Sequence, residues 1–384
     1  MNPLVIDCET TIFQNGHPFS ARNKLCYVGV RNDSVDKLIP VEYREVPYGK
    51  SLEELQNIIN NHSLLIAFNS KFDLHWLRRY HINFQHCNVW CLQLAEFIIT
   101  GQEQRMPSLG SVGIRCMLGT KLVGVAEKYW DNKIDTPDIP EEELRDYLHQ
   151  DCELEWKLYQ WQMEYLKDKP KLYKLIWNNC QDLLVTEEME WHGLKYDLEL
   201  SRKIGDEYLD EIARLDSQLN DIYGRSDINW NSNDHLSCVL YGGTFSRDEQ
   251  VPYDFHYKDG RHASKLHWVK TSTVFDRLVE PLQNTNCKKD NFFEVNEGVL
   301  RKLKATGIAK KIIDLMLKRN EIEKKVSTYF HGWPKIYDEM DWQDSIIHGQ
   351  LNHCVAKTGR LSSSKPNQQN TDKELRKCLV SRFQ

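Results

Sequence analysis

Three apolar residues, Leu4 to Ile6, run straight into Asp7 and Glu9 and then Thr10 and Thr11, the pattern of a buried strand whose end turns polar. Leu25 to Arg31 and Asp36 to Val41 run apolar or alternate, which predicts two more strands in a meander off the first. Leu52, Leu55, Ile58 and Ile59 then fall at helical spacing, with Ser51 placed as an N-cap and Glu54 three residues on. A short apolar strand, Leu64 to Phe68, delivers Asn69, Ser70, Lys71, Phe72 and Asp73 to a helix whose apolar side is Leu74, Trp76 and Leu77. Pro140 and the three glutamates after it start another helix, buried along Leu144, Leu148, Leu154 and Leu158. The pattern is α/β, a sheet with flanking helices.

Past Lys169-Pro170 the chain changes character, and a domain boundary is expected near Asp168. Trp177 to Asp197 reads as mostly helical with a stop at Gly193, Leu198 to Tyr223 as one long helix, and Ile308 to Tyr329 as another. Between these lie a short helix ending at Gly242-Gly243 and a polar stretch, Thr244 to Asn291, of mixed charge and little periodicity, expected as a loop.

Composition narrows the class. The 384 residues suffice for two or three domains, no run approaches the roughly eighteen apolar residues of a spanning helix, and Met1 to Ile6 is no signal peptide. Eleven scattered cysteines argue for reduced thiols in a cytoplasm; Cys87 and Cys91 near His81 and His86 form a zinc-like half-site with no second pair. The net charge of −6 averages unlike parts: residues 1–168 hold 17 basic against 24 acidic side chains, the remainder 33 against 32. Basic residues bunch in 297–325, nine against four, and in 351–384, seven against two. An acidic first domain followed by basic segments suits a polyanion gripped by one part and cut by the other, although a solvated helix face accounts for the first segment equally well.

Asp7 and Glu9 are two apart on a strand, so both carboxylates share one face. They repel unless a cation lies between them, and hard oxygen ligands suit Mg²⁺ or Mn²⁺. Asp73 sits at a strand-to-helix junction, where an open sheet presents its ligand groups. Tyr147 and Asp151, four apart on a helix, point to one place. Taken singly, each is an ordinary solvated strand end, early-helix acid or surface pair.

Together the three segments, D-x-E, N-x-x-F-D and Y-x-x-x-D, resemble the motifs of the DEDD 3′-to-5′ exonucleases of the tyrosine branch, in order and spacing, over about the first 165 residues. The resemblance implies a ribonuclease H-like fold with a mixed sheet, two Mg²⁺ ions (Mn²⁺ able to substitute) held by Asp7, Glu9, Asp73 and Asp151, and an attacking water oriented by Tyr147. Thr10, Ile12, Asn69 and Phe72 become candidates for holding the frayed 3′ end.

Near the other end, the run Thr358 to Asn370, T-G-R-L-S-S-S-K-P-N-Q-Q-N, resembles the primer-binding entry to the palm of family A DNA polymerases, departing at Gln368 where leucine is usual. Asn229 to Gly243, with Asn231 and Ser232, and Lys325 with Ser327 to Tyr329 look like that family's thumb, most of all in its bacteriophage members. The implied organisation is an exonuclease over 1–168, a mainly helical thumb with a tip insertion over 169–345 and a first, partial palm segment over 346–384. Thr358, Arg360, Ser362, Ser363, Asn367, Gln369 and Asn370 are hydrogen-bonding groups suited to phosphates and the minor groove of a primer-template. By the same resemblance the strand bearing the first polymerase catalytic aspartate follows within a few residues of Gln384, and the fingers and second palm acid come later still, so the expectation is a proofreading exonuclease of a split or truncated replicative polymerase. A second polypeptide would then carry the remaining palm and the fingers, in the cytoplasm of an infected bacterial host. Thr244 to Asn291 is either a docking site for a processivity factor or a plain thumb-tip loop. The alternatives are a free-standing RNase D-like RNA exonuclease and a DNA-clamp subunit with an idle exonuclease site.

Overall fold

The computed structural model describes residues 1–44, 48–121, 124–257, 261–289 and 291–382. They divide into two compact units, residues 1–198 with 333–384, and residues 199–332. No helix among the described residues is long and apolar enough to cross a membrane.

The first unit is built on β1 (Pro3–Thr10), β2 (Leu25–Arg31), β3 (Asp36–Pro40), β4 (Leu64–Ala67) and β5 (Asn88–Cys91), in the order β3-β2-β1-β4-β5. β1, β2 and β3 pair antiparallel, while β1, β4 and β5 pair parallel, so the sheet is mixed. β1 is the central strand and Leu4, Val5 and Ile6 are fully buried, which the continuous apolar run requires. Helices cover the sheet: α1 (Tyr48–Asn60), α2 (Lys71–Arg79), α3 (Leu92–Ile99), α4 (Leu109–Arg115), α5 (Gly124–Lys128), α6 (Glu141–Leu166) and α7 (Pro170–His192). α1 extends one turn beyond the expected start, so Ser51 lies inside the helix, buried, rather than capping it.

One contact sets how deeply α6 sits. Gly29 on β2 pairs with Asp7 on β1, and a methyl group at Gly29 would fall 2.3 Å from Cys152 Sγ and 3.1 Å from Leu148, both on α6. The missing side chain lets α6 pack down onto the sheet face that carries Asp7 and Glu9, and so brings Tyr147 and Asp151 to them.

The helix beyond the expected Asp168 boundary, α7, packs on β5, α2 and α3, within the first unit. It ends at Gly193, whose φ of 56° suits a helix stop. β6 (Leu194–Lys195) follows. α8 (Leu198–Tyr223), α9 (Asn233–Tyr241), the strands β7 (Gly243–His256) and β8 (His262–Phe275), α10 (Glu297–Leu300) and α11 (Gly307–Lys325) form the second unit, and α12 (Gly332–Met340) leads back to the first. In the second unit α8, α9 and α11 share a core that includes Leu219, Trp230, Leu236, Leu240, Ile312 and Met316.

Of the polar stretch expected as a loop, the part up to Phe275 is instead a pair of strands, while residues 276–289 hold no helix or strand. β7 and β8 pair antiparallel in register from Gly243↔Phe275 to His256↔His262, an extended hairpin with Leu266, Trp268 and Val274 exposed. The alternation of Val251, Tyr253, Phe255 and Tyr257 is the period-2 signal that the polar composition obscured.

Residues 333–384 return to the first unit through β9 (Ile346–Ile347), which pairs with β6, and through β10 (Gln350–Asn352), whose partner is β11 (Ser362–Ser364). A buried ionic cluster holds them there. Glu190 on α7 accepts from Lys71 Nζ (2.5 Å), from His75 Nε2 (2.9 Å) and from the Leu351 N–H (2.5 Å). Lys71 also donates to the Leu351 carbonyl, and His348 stacks on Phe19 with ring centroids 4.1 Å apart. Lys71 and His75 belong to α2, the helix that carries Asp73, so β10 and α2 share one set of charges.

The Gly29 contact gives a direct test. Gly29→Ala should cost about 1–3 kcal/mol of stability, because Cys152 or Leu148 must move and α6 with it. Urea unfolding measures this; a change within about 0.5 kcal/mol would show that the close approach is not a constraint.

Candidate active site

The end of β1 presents two acids on one face, as its alternation dictates. Asp7 is half-buried and Glu9 is buried. Asp151 arrives from α6, and one carboxylate oxygen from each of Asp7, Glu9 and Asp151 lies within 4.8 Å of the others, a group that could hold a metal ion. Asp73, in the first turn of α2, is buried and accepts the Cys8 N–H (3.0 Å), which ties it to β1 between Asp7 and Glu9. The structure therefore gathers three of the four expected acids into one cluster and joins the fourth to it through the strand backbone.

Tyr147 stands one turn before Asp151, buried, with Trp130 edge-on at 5.3 Å. Its phenol is raised well above its ordinary pKa, first by burial and then by the Glu9 charge, so it stays a neutral hydrogen-bonding group. An open cleft of about 440 Å³ lies against these residues, lined also by Thr10, Ile12, Phe72, Lys121 and Trp130. The turn beside it is anchored from the far side: the Ile12 N–H donates to Asp135 Oδ1 (2.9 Å), and Thr136 Oγ1 donates to the Thr10 carbonyl (2.5 Å). Phe72 lines both this cleft and a smaller pocket of about 150 Å³ that includes Asn69, Lys71, Gln350 and Asn352. Asn69 thus faces that second pocket, and its φ of 69° marks the bend from β4 into α2.

Burial and mutual repulsion dominate the electrostatics. Asp7 is pushed up to about 7, chiefly by burial and then by Asp151, against the pull of Lys121. Glu9 and Asp73 are held well above the carboxylate range by burial and then by Asp7, and Asp151 is raised by burial against Lys121. Both oxygens of Asp151 are buried without a well-directed hydrogen bond, although Lys121 Nζ is 2.5 Å from Oδ2. Clustered carboxylates short of donors fit a hard divalent cation, which would supply the missing charge to Asp7, Glu9 and Asp151, with Asp73 beside them.

Sequence reasoning did not anticipate Lys121, Trp130 or Asp135. Lys121 and Asp135 fall in short segments without periodicity, and only the tertiary fold brings them to the cleft.

The expected polymerase contacts are placed as follows. In the second unit Asn231 Oδ1 accepts from Arg319 (2.7 Å), which also pairs with Asp216, and Ser232 caps α9. In the first unit Thr358, Arg360, Asn367, Gln369 and Asn370 are exposed and Ser362 is half-buried on β11. Ser363 is buried, its hydroxyl accepting the Gln368 N–H (3.1 Å) and so bracing its own turn.

Comparison with known proteins agrees with this geometry. The 3′-5′ exonuclease family matches residues 1–160, and DNA polymerase family A matches residues 269–383. The first part of the chain is thus similar to 3′-5′ exonucleases and its last part to family A DNA polymerases. DNA polymerase I of Bacillus subtilis is 25% identical over 187 residues, 49% of this chain and 16% of that protein. The Synechocystis enzyme of the same name is 24% identical over 234 residues, 61% of this chain and 20% of that one. The thermostable DNA polymerase I of Thermus filiformis is 27% identical over 187 residues, 48% of this chain and 17% of the other. This chain thus aligns with a fifth or less of the length of these family A relatives. In fold it is similar to the POL domain of Pol1 from M. smegmatis, solved in complex with DNA primer-template and dNTP, with a TM-score of 0.64 and 15% identity over 98% of this chain and 53% of that one.

The raised carboxylates make stability depend on pH in a set direction. Asp7 keeps its proton in the folded protein up to about pH 7 but loses it near 3.8 when unfolded, so the metal-free fold loses stability as pH rises through that window. Mg²⁺, binding the ionised form, should therefore raise the unfolding temperature more at about pH 8 than at about pH 5.5. Thermal unfolding with and without Mg²⁺ reads this, and equal shifts at both pH values would contradict it.

Proposed function

We propose that this chain removes nucleotides from the 3′ end of DNA by metal-assisted hydrolysis, as the proofreading part of a phage-type family A polymerase. The observation that carries the reading is the convergence of Asp7, Glu9 and Asp151 within 4.8 Å, with Asp73 tied to the same strand, beside a cleft that Tyr147 and Phe72 also line. A lone pair of acids is met by solvent; a cluster whose carboxyls are raised by burial, and at Asp7, Glu9 and Asp73 also by neighbouring acids, suits a divalent cation.

In this reading Asp7, Glu9, Asp73 and Asp151 hold two Mg²⁺ ions, which Mn²⁺ can replace. When bound, such ions stabilise the entering and leaving oxygens of an in-line displacement at phosphorus. The protein's part is orientation. The neutral Tyr147 hydroxyl donates a hydrogen bond in the cleft and so aligns a water for attack, a role that its raised pKa suits better than proton abstraction. The Phe72 ring offers a face for the terminal base, and the anchored Thr10 to Ile12 backbone offers polar groups for the sugar. Asn69, in the adjoining pocket, would take the nucleotide before it. The exposed Thr358, Arg360, Asn367, Gln369 and Asn370, with Ser362, would hold primer-template phosphates and minor-groove edges; in the second unit Asn231 and Ser232 would shape the thumb's contact with the duplex.

A 5′-labelled single-stranded DNA incubated with Mg²⁺ should shorten as a ladder from its 3′ end. Asp7→Ala should abolish the ladder and Tyr147→Phe should slow it by about 10²-fold, with DNA binding retained in both. RNA of the same sequence should be cut no faster. No shortening by the unmutated protein, or equal shortening by Asp7→Ala, would overturn the reading.

A further inference from the structure

Lys121 belongs to none of the three motifs, yet its ammonium stands where the acids meet. Nζ is 2.5 Å from Asp151 Oδ2 and 4.7 Å from the centre of the Tyr147 ring, and its charge is felt by Asp7 and Glu9 as well. Burial opposes its charge, but Asp151, Tyr147, Asp7 and Glu9 together hold it protonated. The groups facing it are therefore three carboxylates and a phenol. The side chain is still 36% exposed at the cleft, so the ammonium can leave Asp151 by rotating about its own stem.

An ammonium and a hard divalent cation compete for the same oxygens. A phosphate entering the cleft would offer the ammonium a second anionic partner, and charge-assisted contacts of that kind are strong enough to draw it away. We propose that Lys121 is the internal counter-cation of this site and its phosphate-sensing residue: it neutralises Asp151 and its neighbours in the metal-free protein and moves to the terminal phosphate of a bound 3′ end. Divalent ions and the 3′ nucleotide then bind cooperatively, each favouring the arrangement that the other needs. The inference rests on the reading of the acids as a cation site.

The test is a calorimetric titration of the whole chain with Mn²⁺, with and without saturating dTMP, for the unmutated protein, Lys121→Met, Lys121→Gln, Lys121→Arg and Asp7→Ala. In the unmutated protein dTMP should tighten Mn²⁺ binding by about 10-fold. Both neutral variants should bind Mn²⁺ about 10-fold tighter than the unmutated protein when no nucleotide is present, with a smaller effect of dTMP. Their metal-free forms should melt at lower temperature, since the acids lose their cation. Lys121→Arg should restore the weaker metal binding and the larger nucleotide effect, which a merely structural role would not do. If the neutral variants match the unmutated protein in both Mn²⁺ affinity and dTMP effect, or bind Mn²⁺ more weakly, the inference is wrong. Absence of Mn²⁺ binding by the unmutated protein, or undiminished binding by Asp7→Ala, would instead overturn the reading of the acids as a cation site.

Discussion

The desolvation of clustered carboxylates is the constraint on which this molecule's candidate site depends. Asp7, Glu9, Asp73 and Asp151 come from one strand and two helices, and each is driven towards its protonated form by burial, with Asp7 adding to the drive on Glu9 and Asp73. A fold that spends its central strand on such an arrangement needs compensation. Some is local: the Cys8 N–H takes up Asp73, and Lys121 partly neutralises Asp151. The remainder is left for a cation, and the chemistry assigned to the cleft follows from that deficit. Glycine at position 29 belongs to the same logic, because without its open space α6 could not lower Asp151 onto β1.

The second element of the design is the attachment of residues 346–354 to the same unit. Glu190 gathers Lys71 and His75 of α2 together with the Leu351 backbone, and burial, which would raise its carboxyl, is outweighed by His75 and Lys71. Rearrangement of β10 would therefore be felt on α2 and at Asp73. Gln350 and Asn352 of β10 line the pocket beside the cleft together with Asn69, Lys71 and Phe72, so β10 and the start of α2 are neighbours within one compact unit.

Much of the site was legible because its geometry is periodic. Asp7 and Glu9 share a face by strand alternation, Tyr147 and Asp151 by helical spacing, and Asp73 follows from a strand running into a helix. The long helix Leu198–Tyr223 was legible for the same reason. What could not be read depends on contacts distant in sequence. Lys121 lies in a segment without periodicity and reaches the acids only through the fold, and the membership of Pro170–His192 in the first unit depends on packing against α2, α3 and β5. The hairpin from Gly243 to Phe275 is a different case: its alternation was present, but interleaved serines, threonines and charges lowered its apolar content below that of a core strand, since both of its faces are largely exposed.

The central claim is that the buried acids form a divalent-cation site that acts on a 3′ end. Anomalous diffraction from crystals of the whole chain soaked in Mn²⁺ and dTMP tests it most directly. The account predicts manganese peaks at the carboxylates of Asp7, Glu9 and Asp151, with Asp73 beside them, and the nucleotide base against Phe72. Crystals with dTMP bound but no manganese at these carboxylates, or manganese only elsewhere, would contradict it.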